Sequence, residues 1–200
     1  MATVTPMTEI AAVNICLTNL GEEPVNTLTG TIPLDASQAL SVVREVTLEV
    51  QKRGWYFNTE FFSLSPDQNG HINVPANTLK VQTTDSDKLT PVVQRGTKLY
   101  NMTPFEHSFV WTRTLKVRLI MGIDFTDLPQ TARSYIALRA ARIFQIRQLG
   151  DQISAREDTE DERIAEAELE AEQIRMRPTS MRDSVSMASA LAQRPFMINI

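Results

Sequence analysis

The sequence has little of the chemistry on which most enzymes depend. Its 200 residues include one cysteine, Cys16, two histidines, His71 and His107, and seven glycines. A single cysteine excludes an intrachain disulfide, and one cysteine with two histidines argues against a dedicated zinc site. There is no glycine-rich phosphate loop, no HExxH, no CxxC and no nucleophile-elbow pattern. We therefore expect no cofactor, no metal and no enzymatic activity.

Charge and hydropathy argue against two further classes of protein. The formal net charge is −4 and the pI is about 5.3, whereas proteins that neutralise nucleic-acid phosphates usually carry a basic face. The apolar runs are far shorter than a membrane span. Residues 1–6 contain neither the basic nor the apolar part of a secretion signal. We expect a protein that is made in the cytoplasm and does not contact a membrane.

Two helices are predicted in the first 59 residues. Gly21 follows the first of them, where a left-handed residue commonly ends a helix. Asp35 is a suitable N-cap for the second helix, and Gly54 is placed to end it. The apolar face of the first helix consists of Ile10, Val13, Leu17 and Leu20.

After residue 59 the pattern changes to short apolar stretches that are separated by turn residues. In 115–121 every second residue is apolar, which is typical of a half-exposed strand. The turn at Arg95-Gly96 predicts a hairpin. The predicted strands are 61–64, 71–74, 79–84, 92–95, 98–101 and 115–121.

Two further segments have opposite charge. Pro129 begins a predicted helix over 130–149, which contains four arginines and no acidic residue. The segment 151–177 contains ten acidic residues and four arginines. Its thin apolar stripe predicts a helix that packs on one side. The stripe consists of Ile164, Ala167, Ala171 and Ile174.

This opposite charge has more than one interpretation. The two segments can present separately solvated faces, or they can pack together within one chain or between neighbouring copies. Opposite charges that meet determine register and partner choice more than they add affinity. The residues predicted to contact a neighbouring subunit are Arg139, Arg142, Glu166 and Glu170.

The fold predicted from these elements is α+β and mainly α. A helical bundle is formed by residues 1–59 and 126–177. A small antiparallel β domain, residues 60–125, is inserted into it. Residues 178–200 form an extended C-terminal tail.

The order of several short motifs resembles a known family. Leu20-Gly21-Glu22-Glu23-Pro24-Val25 ends one helix, Arg53-Gly54-Trp55-Tyr56-Phe57-Asn58 ends the next, and Asp127-Leu128-Pro129 opens another after the β region. This arrangement resembles the tail tubular protein A family, the tail adaptors of T7-like short-tailed bacteriophages. The resemblance spans most of residues 8–177.

The resemblance implies a position in the virion tail. Members of this family form a dodecameric ring between the portal protein and the tail nozzle protein, tail tubular protein B, with docking sites for tail fibres. Genomic DNA passes through the channel during ejection, and we expect no specific binding to it. A channel lined by Arg133, Arg139 or Arg142 would count against that expectation.

The same resemblance implies that the C-terminal tail reaches the portal. An apolar chain end of this kind needs a partner surface, on which it can become ordered. The candidate portal contacts are Arg194, Phe196, Met197, Ile198 and Ile200.

Two other functions stay open. A nucleic-acid-binding module would stack bases on Trp111 and bind phosphates with Arg113, Lys116 and Arg118. A glycan hydrolase that acts on bacterial surface polysaccharide would need two carboxylates. The candidate carboxylates are Asp85, Asp87, Glu106, Asp124 and Asp127.

Overall fold

The structure is a computed structural model that describes residues 5–84, 87–149 and 154–176. Within these ranges the helices are α1 Glu9–Asn19, α2 Leu34–Gln51, α3 Gln130–Leu149 and α4 Ser154–Met176. The strands are β1 Thr59–Leu64, β2 Thr78–Thr83, β3 Val92–Arg95, β4 Lys98–Asn101 and β5 Leu115–Met121. Helix exceeds strand, and the sheets are small and antiparallel, which confirms the predicted α+β class with mainly helical content.

Gly21 ends α1 as the sequence predicts. Its φ is +79°, a value that glycine adopts without a side-chain penalty. The Gly21 N–H donates to the carbonyl of Thr18, and the Glu22 N–H donates to the carbonyl of Leu17, both at 3.0 Å. These two bonds form a Schellman motif, which satisfies carbonyls at the helix end.

The second helix begins two residues earlier than an N-cap at Asp35 predicts. α2 starts at Leu34, after Pro33, and no side chain caps it. Asp35 is therefore not the N-cap but lies in the first turn, where a negative charge is favourable to the helix dipole. Gly54 follows the helix with a φ of +80°, as predicted, and its N–H donates to the Gln51 carbonyl at 3.0 Å.

Helices α1, α2 and α3 pack around the larger of two hydrophobic clusters. Alanines on α3 allow a close approach of the helices. Cys16 is fully buried within this cluster, and burial raises the pKa of its thiol to about 12. It is therefore a neutral packing group and not a reactive thiol. The cluster also includes Val13, Leu17, Val43, Val46, Trp55, Ala132, Ile136, Ala137, Ala140, Ala141 and Phe144.

Helix α4 packs against α3 with a different face from the one predicted. Among the side chains of α4 that the structure describes, those of residues 159–176, it buries Glu162, Ala165 and Leu169. The predicted stripe lies on the outside, since Ile164 is 49% exposed and Ile174 is 69% exposed. The prediction was wrong because both sets of residues recur at helical spacing, and contacts with α3 decide between them.

The strands form two antiparallel sheets. β5 is the centre of a three-stranded sheet, with β1 and β2 on either side. β3 and β4 pair as the predicted hairpin, with Gly96 in the turn. The predicted strand 71–74 was wrong, because this segment forms only isolated bridges such as His71 with Val110. Pro75 follows it at once and cannot donate to a longer ladder.

One face of the three-stranded sheet covers the second hydrophobic cluster. Phe62, Leu64 and Val81 pack against this cluster from β1 and β2. The buried residues of the cluster are Ile72, Val74, Leu99, Trp111, Leu115, Val117, Leu119 and Met121. The opposite face of the sheet is open to solvent at several positions, as the alternation in 115–121 predicts.

Candidate functional site

The arginines predicted to contact a neighbouring subunit form ion pairs within the chain. Arg139 donates to Glu162 at 2.8 Å and to Glu49 at 3.0 Å. Arg142 pairs with the same Glu162 through Nε and Nη2. Both arginines of α3 thus hold α4, and Arg139 also connects it with α2. Of the interpretations that the sequence leaves open, packing within one chain is present among the described residues.

Glu166 and Glu170 also pair within the chain, but with an arginine from a different part of it. Arg53, just after α2, donates from Nη1 to Glu166 and from Nη2 to Glu170, the latter at 3.1 Å. The same guanidinium lies 5.1 Å from the centroid of the Trp55 ring, in the range of a cation–π contact. Arg53 therefore anchors the middle of α4 to the end of α2.

The C-terminal half of α4 is held by hydrogen bonds from Tyr56 and Thr131. The Tyr56 hydroxyl donates to Glu172 at 2.7 Å, and the Tyr56 N–H donates to the side chain of Gln173 at 2.6 Å. Thr131 donates to the other carboxylate oxygen of Glu172. Burial, together with Glu172, raises the pKa of Tyr56 to about 12, so the hydroxyl remains a donor.

Glu162 is the central acid of this arrangement, and the sequence analysis missed it. Its side chain is 8% exposed. Burial pushes its pKa upward, but hydrogen bonds from Arg142 and Arg139 outweigh this effect, so that its pKa is lowered. The available signal was spacing: Glu162 precedes Ala165 by three positions and Leu169 by seven, which places all three on one helical face.

The outer side of α4 carries an open groove with a volume of about 750 Å³. Its apolar lining comes from Ile164, Ala167, Ala171 and Met176, and Glu168 is among its charged residues. The ion pairs described above hold the opposite side of the helix, and of this apolar lining Ile164, Ala167 and Met176 are exposed while Ala171 is half-buried. A mixed apolar and charged surface of this kind is typical of a protein–protein contact.

Among the carboxylates considered for glycan hydrolysis, Asp87 has a clear structural role. It is 4% exposed, accepts a hydrogen bond from the Lys116 N–H at 2.8 Å and pairs with Arg113. These bonds lower the pKa of Asp87, whereas a general acid needs a raised one. Asp85 lies outside the described residues. The exposed candidates are Glu106, Asp124 and Asp127.

The surface proposed for stacking nucleic-acid bases is not available at Trp111. This residue is 7% exposed, and its indole N–H donates to the Leu99 carbonyl at 3.1 Å. Arg113 is occupied by the ion pair with Asp87. The exposed aromatic residue of the sheet is Phe61, at 71%. Sequence reasoning missed it because nothing in 61–64 tells which of two adjacent phenylalanines faces the core.

The arginines whose presence in a channel would favour DNA binding are engaged within the chain. Arg133 donates to the backbone carbonyls of Met7 and Leu128 at 2.8 and 2.7 Å, and also to that of Thr126. Arg139 and Arg142 hold Glu162, as described above. All three therefore already have acceptors from their own chain.

The candidate portal contacts, Arg194, Phe196, Met197, Ile198 and Ile200, lie outside the described residues. Within the described ranges, no three His, Cys, Asp or Glu side chains are arranged to hold a metal ion. None of the described helices combines the length and the apolar character that crossing a membrane requires.

Comparison with known proteins gives two matches. The family model for tail tubular proteins matches residues 10–179, which include both sheets and all four helices except the first residue of α1. Tail tubular protein A of Klebsiella phage KP34 is 30% identical over 131 residues, which is 66% of this chain and 68% of the relative.

Proposed function

The chain belongs to the tail tubular protein family and is a structural component of a phage tail, and we propose that it is the adaptor between the portal and the tail nozzle. In this proposal a dodecameric ring of the chain lies beneath the portal protein. The tail nozzle protein, tail tubular protein B, attaches to the opposite side, and tail fibres dock on the ring. The ring helps to gate the passage of DNA during ejection.

The observation that carries this proposal is the apolar stripe on the outside of α4. Ile164 and Ile174 are 49% and 69% exposed, although the other side of the same helix is held by ion pairs and hydrogen bonds. An exposed apolar stripe on a well-anchored helix is typical of a surface that another protein covers. A neighbouring subunit of a tail ring would supply that cover.

We assign the parts of the chain to separate roles in the ring. The helical bundle, residues 1–59 and 126–177, forms the body, and residues 60–125 form the inserted β domain. Residues 178–200 extend to the portal. The portal contacts within this tail are Arg194, Phe196, Met197, Ile198 and Ile200.

DNA passes through the proposed ring without specific binding. Each phosphate contact would add affinity through the release of counterions, and affinity would slow a strand that has to slide. The acidic net charge of the chain and the engagement of Arg133, Arg139 and Arg142 by its own acceptors support this view.

The prediction that Arg139, Arg142, Glu166 and Glu170 contact a neighbouring subunit stays a prediction. Their pairs within the chain mean that a neighbour would have to share or displace existing partners. Their contribution to the ring is then to hold α4 in position, so that its outer side is presented to the neighbour.

The experiment that tests the adaptor role is electron microscopy of the purified chain mixed with the portal of its phage. We expect a twelvefold layer at the narrow end of the portal. A second sample lacks residues 179–200 and should lose portal binding while its circular dichroism spectrum stays that of the full chain. Undiminished decoration of the portal by the shortened chain would overturn the assignment of the tail, and absence of any layer with the full chain would overturn the adaptor role.

A further inference from the structure

One face of the three-stranded sheet is basic. Residues that lie opposite each other in an antiparallel sheet project to the same side. Arg118 of β5 lies opposite Phe61 of β1 and Gln82 of β2. Lys116 and Lys80 are two positions from Arg118 and Gln82 along their strands, so they share that side. We call these five residues the basic sheet face, and the paired positions of the three strands add no carboxylate to it.

Two features indicate that a partner covers the basic sheet face. Phe61 is 71% exposed, a large apolar area to leave in water. Arg118 has a buried Nε–H with no hydrogen-bond partner among the described residues, and such an unpaired donor is destabilising. A partner that brings a carboxylate beside an apolar surface would cover Phe61 and give the guanidinium of Arg118 a counter-charge.

The outer groove of α4 has the matching chemistry. Its apolar lining includes Ile164, Ala167 and Ala171. Glu168 lines the groove, and Asp161 is exposed on the same helix. Neither acid forms an ion pair with a described residue. Arg163 and Arg175 also line the groove, and Arg163 is already paired with Glu160. The groove therefore combines an apolar floor with the available carboxylate of Glu168, and Asp161 lies seven residues earlier on the same face of the helix.

The charges of the whole chain are divided in the same way. Residues 78–121, which run from β2 to β5, contain seven lysines and arginines and three acidic residues. Residues 154–176, which form α4, contain three arginines and nine acidic residues. Every copy thus carries one basic and one acidic surface. Such a chain attracts a second copy of itself, and complementary charge of this kind selects the partner and its orientation.

We propose that the basic sheet face of one copy docks onto the outer groove of α4 in the next copy. Phe61 enters the apolar part of the groove, Arg118 pairs with Glu168, and Lys80 lies against Asp161. The contact joins two different surfaces, so it repeats from copy to copy and closes a ring when the rotation permits. The inference rests on the proposed ring and assigns its subunit interface.

Charge reversal tests this interface. Arg118→Glu and Glu168→Arg, each alone, should lower occupancy of the ring on the portal at least tenfold, as measured by native mass spectrometry and negative-stain microscopy. The double variant Arg118→Glu/Glu168→Arg should recover assembly, because the pair is restored with its charges exchanged. Phe61→Ala should weaken assembly without recovery in any charge background.

A matched control separates this effect from a general change of charge. Lys52→Glu makes the same change at an exposed site after α2, outside both surfaces, and should assemble like the unmodified chain. Thermal unfolding of every variant identifies loss of folding. Because Glu168 is exposed, Glu168→Arg keeps the test valid even if Arg118→Glu fails to fold.

The outcomes distinguish this inference from the proposed function. Normal rings in both single variants would overturn the interface and leave the adaptor role intact, whereas absence of rings in the unmodified chain would overturn the adaptor role itself. Loss of single-stranded oligonucleotide binding in Arg118→Glu and Phe61→Ala, with rings unchanged, would assign the basic sheet face to nucleic acid and overturn the proposal.

Discussion

The side chain of Gln51 binds the backbone of Ile123 through both ends of its amide. Nε2 donates to the Ile123 carbonyl at 2.8 Å, and Oε1 accepts from the Ile123 N–H at 2.7 Å. Gln51 is the last residue of α2, and Ile123 follows β5. Asn58 strengthens this joint between α2 and β5, because its side chain donates to the carbonyls of Gln51 and Met121, both at 2.9 Å. Buried polar groups therefore fix the sheet to the end of α2.

Gln51→Leu should destabilise the chain by about 3 kcal/mol, because it leaves both backbone groups of Ile123 without a partner and each such group costs about 1–3 kcal/mol. Urea unfolding measures the loss. Gln38→Leu, at an exposed position of the same helix, should change the free energy of unfolding by less than about 0.5 kcal/mol. Equal losses in the two variants would show that the joint adds nothing to stability.

Gly54→Ala should cost more than Gly21→Ala. Both glycines have a φ near +80°, so an alanine at either position should lower the free energy of unfolding by about 1–2 kcal/mol, because its Cβ disfavours the left-handed conformation. A Cβ at Gly54 would also lie 2.6 Å from Cδ1 and 3.2 Å from Cγ1 of Ile120, whereas nothing lies within 4 Å at Gly21. The additional contact should cost about 1–3 kcal/mol, measured as the difference between the two urea transitions.

These glycines also show what sequence reasoning can predict. Gly21 and Gly54 end helices at positions where only a left-handed residue fits, and this signal is local. The alternation in 115–121 is equally local, and it identified β5 with its observed bounds. The division of the chain at residues 59, 126 and 178 and the roles of the tail residues remain predictions.

The packing face of α4 could not be predicted in the same way. Ile164 and Ala167 recur at the same helical spacing as Ala165 and Leu169, and isoleucine is the more apolar residue. What decides the outcome is Glu162, which is buried because Arg139 and Arg142 reach it from α3. The spacing of residues along α4 does not show that arginines of another helix will pair with one of its acids. For this reason Glu162, the central acid of the candidate site, was missed.

Glu162→Gln should destabilise the chain by about 3 kcal/mol, because it leaves the half-buried Arg142 without its counter-charge and Arg139 with Glu49 alone. Glu160→Gln is the matched control on the same helix, since its pair with Arg163 is solvent-exposed and exposed pairs contribute little. Thermal unfolding of both variants measures the contrast. Similar losses of stability in the two variants would mean that burial does not make the ion pairs of Glu162 more stabilising than an exposed pair.

Asp87 should make stability depend on pH in the acid range. Its pKa in the folded chain is lowered by the Lys116 N–H and by Arg113, so the carboxylate stabilises the fold fully above the unfolded pKa of about 3.9. That contribution is lost as the pH falls through the lower folded value. Asp87→Asn should therefore be less stable at neutral pH and lose less stability on acidification, as followed by urea unfolding at several pH values.

A control variant separates the local effect of Asp87 from the loss of one negative charge. Asp127→Asn removes an exposed carboxylate and should keep the acid-range slope of the unmodified chain. A slope in Asp87→Asn that equals that of the unmodified chain would contradict the role given to the Lys116 and Arg113 contacts.

Phe105→Asn should stabilise the chain by about 1 kcal/mol. Phe105 has a φ of +67° and its side chain is fully exposed, so the folded state gains no burial in return for a conformation that bulky residues disfavour. Asparagine adopts this conformation far more readily. Phe105→Ala removes the same aromatic ring but keeps the disfavoured backbone, so it should show little or no gain. A comparable gain in the alanine variant would assign the effect to the ring and not to the backbone, and urea unfolding of the pair decides between them.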